Sequence, residues 1–445
     1  MIGEIRPELR RLFALAFPLA AAEAGTQAMS LVDMAVIGRL GGLELAAAGL
    51  ANAVFFGISV FGLGLMLGVD PLISQAVGAR ELSRARRVMW QGIWLALITA
   101  ALLTVLLCLG PFLLRAIGVK SEIIRPATVF LLIRTIGLSP WLVFFVIRAY
   151  LQAHHVTRPM VTSMIVSNIL NLIIDIVLVF GFGPIPALGV AGAAISTVSC
   201  QFLQMGIVAL AVRRIPTDGR ISRRWNSVDI RRALRVGLPT ALQVTAEVGI
   251  FALVALLAGR MGTVDLAAHQ LVISLASFTF TTALGVATAG SVRVGLAVGA
   301  RDRHAARLAG YAAFVGAAMI MSAGALAFIL FPAQLARMIT NQREVIAAAV
   351  PLFFVAALFQ LSDGLQAAGI GALRGAADTR FAFFSNLVGY WIVGLPMSLF
   401  LGFHLKMGVV GLWWGFVAGL TTVAVLVFVR FRDLSSRDIV PVHER

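Results

Sequence analysis

Long apolar runs, separated by short polar segments rich in arginine, set the pattern of the chain. A helix needs roughly 20 mostly apolar residues to cross a bilayer. The run Val88–Leu114 carries no charge, and neither does Ile176–Val212. The latter is long enough for more than one crossing and is interrupted at Gly181, Gly183, Pro184 and Pro186. Breaks at such clusters and at the charged segments predict twelve helices, at 12–37, 45–76, 87–110, 123–152, 159–182, 189–213, 232–258, 265–297, 305–331, 344–372, 380–403 and 409–430. Several exceed one bilayer thickness and are expected to tilt or project. The opening resembles a signal peptide, with Arg10 and Arg11, an apolar stretch and small residues at Ala20–Ala24. The apolar pattern continues to Ile37, too far for a signal core, so this segment reads as the first crossing.

The second half repeats the first. Gly38-Arg39-Leu40-Gly41 matches Gly259-Arg260-Met261-Gly262 at an offset of 221, and Glu44-Leu45-Ala46-Ala47 matches Asp265-Leu266-Ala267-Ala268 at the same offset. Gly78-Ala79-Arg80-Glu81 matches Gly299-Ala300-Arg301-Asp302, again at 221. Later, Thr157-Arg158 matches Thr379-Arg380 at 222, and Gly189-Val190-Ala191-Gly192 matches Gly408-Val409-Val410-Gly411 at 219. Six helices per repeat is an even number, so both repeats face the same way, related by an axis along the membrane normal. The expected fold is therefore an all-α membrane protein of twelve transmembrane helices in two six-helix lobes with a parallel pseudo-two-fold. Its domains are an N-terminal lobe at 1–213, a cytoplasmic linker at 214–231, a C-terminal lobe at 232–430 and a cytoplasmic tail at 431–445. Pro216-Thr217-Asp218-Gly219 is the expected turn of the linker, and Ser227–Arg235 reads as a short amphipathic helix on the membrane surface.

Composition agrees with this pattern. Of 445 residues, 60% are hydrophobic and 13% charged, against roughly 45–50% and 25% in soluble domains. Two cysteines cannot staple a small secreted fold. Neither lysine, Lys120 or Lys406, lies in a GxxxxGK[ST] loop, so no P-loop is present. A net charge of +16 raises the question of nucleic acid. The arginines answer it, because 25 basic residues fall in one set of inter-helix segments and 8 in the other. That asymmetry is the positive-inside pattern. It places both termini in the cytoplasm, makes the chain a multi-pass protein of the cell (inner) membrane, and removes the case for nucleic acid.

The remaining chemistry is carried by acids within the spans. A carboxylate at a helix centre costs about 2.5–3.5 kcal/mol on insertion scales. Glu23 and Asp33 lie in helix 1, Asp175 in helix 5, Glu247 in helix 7 and Asp363 in helix 10, with no lysine near them in sequence. Asp70 lies near the inner end of helix 2. At ~1.5 Å per residue, Asp33 and Asp175 come to similar depths, about 6 and 10 Å from the outer ends of their helices. Asn171, one turn before Asp175, adds an oxygen ligand on the same face. Glu247 and Asp363 lie nearer mid-membrane. Phe359, one turn before Asp363, either faces a cation through its ring or packs in the core. Each acid alone could instead be a structural group, satisfied by backbone or by an arginine such as Arg134. Glu23 has Thr26 and Gln27 within a turn. Gly62-x-Gly64-x-x-x-Gly68 and Gly369-x-Gly371-x-x-x-Gly375 lie in apolar helices and read as close-packing faces. Cys108 and Cys200 read as packed thiols. The six histidines show no metal-ligand spacing, and there is no GxSxG nucleophile turn.

Several of these segments resemble one family. Ser30-Leu-Val-Asp33-Met-Ala-Val-Ile-Gly38-Arg39-Leu-Gly41, Gly237-Leu-Pro239, Glu247-Val-Gly-Ile-Phe251-Ala-Leu-Val-Ala255, Leu266-Ala-Ala-His269-Gln270, Val292-Arg293-Val-Gly295 and Gly371-Ala-Leu-Arg374-Gly375 are similar to the multidrug and toxic compound extrusion (MATE) transporters. The resemblance runs from about residue 12 to 430 and is nearest to the NorM-type branch. It implies twelve-helix antiporters with two lobes around a central cleft, exporting cationic or amphipathic drugs and metabolites in exchange for Na⁺ or H⁺. It also implies cation-binding roles for Glu247, Asp363 and Asp33, the NorM-type set. The DinF-type branch uses a helix 1 aspartate with an Asn-x-x-x-Asp pair, matched here by Asn171 and Asp175, so the chain carries both acidic sets. The expected protein is thus a non-enzymatic, monomeric antiporter with no cofactor beyond its coupling ion. The alternatives are a flippase for a lipid-linked precursor, a membrane-embedded enzyme, or a non-transporting membrane scaffold. The acidic charges favour cationic cargo over a pyrophosphate, and no nucleophile–base set or metal-ligand cluster supports an enzyme.

Overall fold

The computed structural model describes residues 2–116, 118–217 and 221–444. Among them the chain is helical, and the only strand-like feature is one bridge between Phe182 and Ile185. Its spans are α1 Ile2–Gly38, α2 Gly42–Gly78, α3 Leu82–Ala116, α4 Ser121–Ile136 with Leu138–Ala153, α5 Arg158–Phe180 and α6 Val190–Val212. The second set is α7 Ser227–Met261, α8 Thr263–Gly299, α9 Arg303–Leu330, α10 Arg343–Gly375, α11 Thr379–His404 and α12 Gly408–Leu434. Eleven are long and apolar enough to cross a membrane as single pieces, and the two parts of α4 form the twelfth.

Local chemistry explains where the helices depart from the expected pattern. The two parts of α4 are bent by 41° at Gly137. Pro140, three residues on, has no N–H to return to the preceding turn, and a side chain at Gly137 would strike Gln201. Helix α7 begins at Ser227, not at 232. Asn226 caps it, with Oδ1 accepting the N–H groups of Val228 at 3.0 Å and Asp229 at 3.3 Å. The surface helix expected over Ser227–Arg235 is therefore the opening of α7 and not a separate element. Helix α11 widens to π-helical turns at Leu387–Gly394 and Phe400–His404 on either side of Pro396. The expected linker turn at Asp218-Gly219 lies outside the described residues.

The sequence repeat reappears as a repeat of turn geometry. Gly41 and Gly262 have φ of 152° and 155°, and Arg80 and Arg301 have φ of 62° and 56°. His155 and Ala377 share the left-handed region at 57° and 59°, as do Gly189 and Gly408 at 57° and 61°. These pairs stand at the offsets of 221, 221, 222 and 219 found between matching sequence blocks. Left-handed backbone is costly for any residue with a Cβ, so its recurrence at four paired positions marks one fold written twice.

The helices gather into two compact units. One comprises Ala21–Ile73 with Glu81–Ala241; the other comprises Met1–Ala20, Ser74–Arg80 and Leu242–Arg445. The boundaries at Ala20 and Ala241 are 221 residues apart, so each repeat gives up the start of its first helix at the same place. Matching contacts hold these starts. In the first unit α7 lies on α2, and a Cβ at Gly64 would come 2.5 Å from Ala241 Cα. In the second, α1 lies on α8, and a Cβ at Gly285 would come 2.8 Å from the Ala16 carbonyl. Gly64 and Gly285 are again 221 apart. Leucine at either position forces two backbones apart. We expect Gly64→Leu and Gly285→Leu each to lower stability by about 1–3 kcal/mol or more, read as a lower melting temperature of the detergent-purified protein. Gly57→Leu, which meets nothing within 4 Å, is the matched control and should melt as wild type.

Candidate functional site

The first unit brings together Asp33 of α1 with Asn171 and Asp175 of α5. Asn171 and Asp175 are fully buried and Asp33 is 7% exposed. The two residues on α5 share a face because they are one turn apart. Helix α6 closes the group. The Thr197 hydroxyl lies 2.8 Å from Asp33 Oδ2 and 3.0 Å from the Ala193 carbonyl of its own helix. Asn171 donates from Nδ2 to Ser196 Oγ at 3.1 Å, and Ser196 donates back to the Asn171 carbonyl at 3.1 Å. The Asp33 and Asp175 carboxyls are direct neighbours.

Four oxygens of this group, Asp33 Oδ1, Asn171 Oδ1 and both Oδ atoms of Asp175, are buried and receive no hydrogen bond among the described residues. Arg134 of α4 acts on Asp33 electrostatically, while its guanidinium rests 4.7 Å from the Phe55 ring centre. Two carboxyls face one guanidinium, so with both ionised the group carries one negative charge. A buried charge without a partner is costly, and four unpartnered carboxylate and amide oxygens are the donor set a hard cation takes. Such a set could take up a cation or a proton.

The second unit builds a different acidic site. Glu247 of α7 is held by donors from two helices. Gln366 of α10 gives Nε2 to Oε1 at 3.3 Å, Asn386 of α11 gives Nδ2 to Oε2 at 3.2 Å, and Tyr390 gives its hydroxyl to Oε1 at 3.4 Å. Tyr390 lies in the first π-helical stretch of α11 and is one turn after Asn386. Asp363, 5% exposed on α10, lies within electrostatic range of Glu247. Neither acid forms an ion pair among the described residues. Phe359, one turn before Asp363, is 2% exposed. Its ring lies 5.2 Å from Trp413 and 5.9 Å from Phe416 by centroids, with Phe251 at 6.3 Å. Trp413 in turn donates from Nε1 to His269 Nδ1 at 3.2 Å.

Glu23 stands apart from both groups. Its carboxylate is paired with Arg148 of α4, and the Arg148 guanidinium also covers the Phe145 ring at 4.5 Å. Thr26 turns back to the Ala22 carbonyl at 3.2 Å. Thr197, Ser196, Gln366, Asn386 and Tyr390 were not singled out in the sequence. Their common signal is an uncharged polar side chain within an apolar span, spaced three or four residues from another. Among the described residues no three or more His, Cys, Asp or Glu side chains gather as a metal centre.

Comparison with known proteins covers nearly all of the chain. The MatE family model matches residues 18–177 and 239–400. A probable multidrug resistance protein NorM of Rhizobium meliloti is 34% identical over 433 residues, covering 95% of this chain and 93% of the relative. The multidrug resistance protein MdtK of Yersinia pseudotuberculosis is 30% identical over 440 residues, covering 97% and 96%. Among solved structures, the eukaryotic MATE transporter AtDTX14 superposes with a TM-score of 0.87 at 22% identity, covering 97% of this chain and 98% of that one. An outward-facing multidrug resistance MATE family transporter superposes with a TM-score of 0.88 at 22% identity, covering 98% and 97%.

Proposed function

The chain belongs to the MatE family, and on that premise we propose that it is a secondary active antiporter that expels cationic or amphipathic organic molecules in exchange for Na⁺ or H⁺. The observation that carries this reading is the set of four buried oxygens on Asp33, Asn171 and Asp175 that no donor reaches among the described residues. Such a pocket exchanges a proton for a metal cation because both neutralise the same carboxylates. The partly exposed Glu247 and the neighbouring Asp363, unpaired and beside an aromatic wall, supply the countercharge for an organic cation.

In this scheme the lobes at 1–213 and 232–430, joined by the linker at 214–231, rock about a central site. The tail at 431–445 and both termini face the cytoplasm of the inner membrane, following the basic residues. The substrate is held while the acids are ionised. An ion arriving from outside neutralises them and the substrate leaves. A ligand shifts such an equilibrium only by its differential affinity for the two states, so ion and substrate must bind exclusively of one another. The protein works as a single chain with no cofactor other than the coupling ion.

The test is transport into proteoliposomes of a fluorescent organic cation under an imposed Na⁺ or pH gradient. Gradient-dependent movement supports the reading, and movement equal to that of protein-free vesicles under both gradients would sink it. Glu23 has a different role here, holding α1 to α4 through Arg148. We expect Glu23→Gln, which leaves the buried Arg148 guanidinium unpaired, to cost about 1–3 kcal/mol of stability. Transport per folded molecule should be unchanged, measured as initial rate normalised to monodisperse protein.

A further inference from the structure

In the first unit, the segment between α6 and α7 is fastened along one stretch of α3. Arg86 donates from Nη2 to the carbonyls of Val212 and Ile215, both at 2.9 Å. Further along, Gln91 donates from Nε2 to the Arg224 carbonyl at 2.8 Å and accepts from the Asn226 N–H at 2.9 Å. The Trp94 indole donates to the Arg223 carbonyl at 2.9 Å. Residues 86–94 rise only about 12 Å along the helix. Both described ends of the segment are therefore held close together at the same end of the unit.

These bonds use the backbone of the segment and leave its side chains outward. Arg213, Arg214, Arg223, Arg224 and Arg231 are exposed. None of them pairs with an acid among the described residues. The acids that border them are already taken. Glu81 is paired with Arg84 at 2.7 Å, and Asp229 with Arg87 at 3.1 Å and Arg232 at 3.5 Å. Aromatic rings lie among the arginines. The Arg223 guanidinium covers the Trp90 ring at 4.6 Å, and Trp94 and Trp225 are 42% and 50% exposed. Trp90 and Trp94 stand near the start of the uncharged run Val88–Leu114, and tryptophan at such a border marks the level of the headgroups.

A second feature adjoins this cluster. One turn beyond Trp94, a groove of about 380 Å³ opens between α3 and α4. It runs from Leu97 past Ala101 and Thr104 to Cys108, faced by Leu132 and Ile136 of α4, beside the bend at Gly137. Leu97 to Cys108 is about 17 Å of helix, close to half of the roughly 30 Å hydrocarbon core. The cluster is thus cationic and aromatic at headgroup level, and the groove beneath it is apolar over the depth of one leaflet.

We propose that this surface binds an anionic phospholipid, its phosphodiester headgroup on the arginines beside Trp90 and Trp94 and one acyl chain in the α3–α4 groove. Surplus cationic charge near the bilayer surface selects anionic over zwitterionic headgroups, and the groove distinguishes a held lipid from a diffuse surface attraction. The inference rests on the chain spanning a membrane and is independent of what it transports.

The test is native mass spectrometry of the full-length protein, equilibrated with equal amounts of phosphatidylglycerol and phosphatidylcholine of matched chains. We expect the anionic lipid to be retained about tenfold over the zwitterionic one. Joint substitution Arg213→Gln, Arg214→Gln, Arg223→Gln and Arg224→Gln should abolish that preference. Ala101→Trp, on the lipid-exposed face of α3, should fill the groove and lower the retained anionic lipid severalfold without touching the arginines. If the fourfold variant does not fold, the pair Arg223→Gln and Arg224→Gln gives the same reading in smaller degree. Equal retention of both lipids by the wild type, or wild-type retention by the arginine variants, overturns the headgroup site. Wild-type retention by Ala101→Trp overturns the groove.

Discussion

Asp33→Asn protein is expected to insert and fold as wild type and to lose ion-driven efflux. Asparagine keeps the shape of the side chain, and Thr197 still has an oxygen to bond. What changes is the charge of the pocket. With Asp33 neutral, Asp175 and Arg134 cancel, and nothing remains to draw a cation or proton to the four unpartnered oxygens. We expect affinity for the coupling ion to fall by about 100-fold, or about 2.7 kcal/mol. In cells loaded with a fluorescent organic cation, the initial efflux rate should drop to that of cells lacking the protein. Asp175→Asn should behave alike, since it removes the same unit of charge. Thr197→Val should be milder, about fivefold, because it removes one hydrogen bond worth about 1 kcal/mol and no charge. Wild-type efflux with unchanged Na⁺ and pH dependence in Asp33→Asn would show that these acids are structural.

The two acidic groups were legible in the sequence because a carboxylate in an apolar span carries a cost large enough to demand a reason. The twelve spans were legible because a bilayer requires long apolar runs, and the repeat because its turns need the same glycines twice. What escaped was set by uncharged groups and by tertiary contacts. Thr197, Gln366, Asn386 and Tyr390 cost little in an apolar helix and look like ordinary tolerated residues until a carboxylate is placed beside them. The partner of Glu23 is Arg148, 125 residues away, and no local pattern joins them. The start of α7 was misplaced because Asn226 caps a polar, basic first turn that continues into the span without a break. The bend at Gly137 and the widened turns of α11 depend on single Gly and Pro positions whose effect is decided by the neighbouring helix.

Glu247 and Asp363 are expected to act as one unit toward a cationic substrate. The cage around Glu247 presents the amide hydrogens of Gln366 and Asn386 and the hydroxyl of Tyr390 to its carboxylate. The amide oxygens of Gln366 and Asn386 are themselves buried without partners. Rotation of either amide would therefore offer an acceptor to a neutral side chain at 247, so Glu247→Gln should fold. Asp363 has no such cage and relies on the shared site. A charge-assisted contact contributes about 1.5–3 kcal/mol, so Glu247→Gln and Asp363→Asn should each slow efflux of an organic cation by about 10- to 100-fold. Because the two charges bind one ligand, the double variant should be no slower than the slower single one, a non-additive result. An uncharged amphipathic dye should lose far less in all three. Initial efflux rates of the two dyes across wild type, both single variants and the double variant provide the measurement. Multiplicative losses in the double variant, or equal losses for the neutral and cationic dyes, would show that the pair does not hold the substrate's charge.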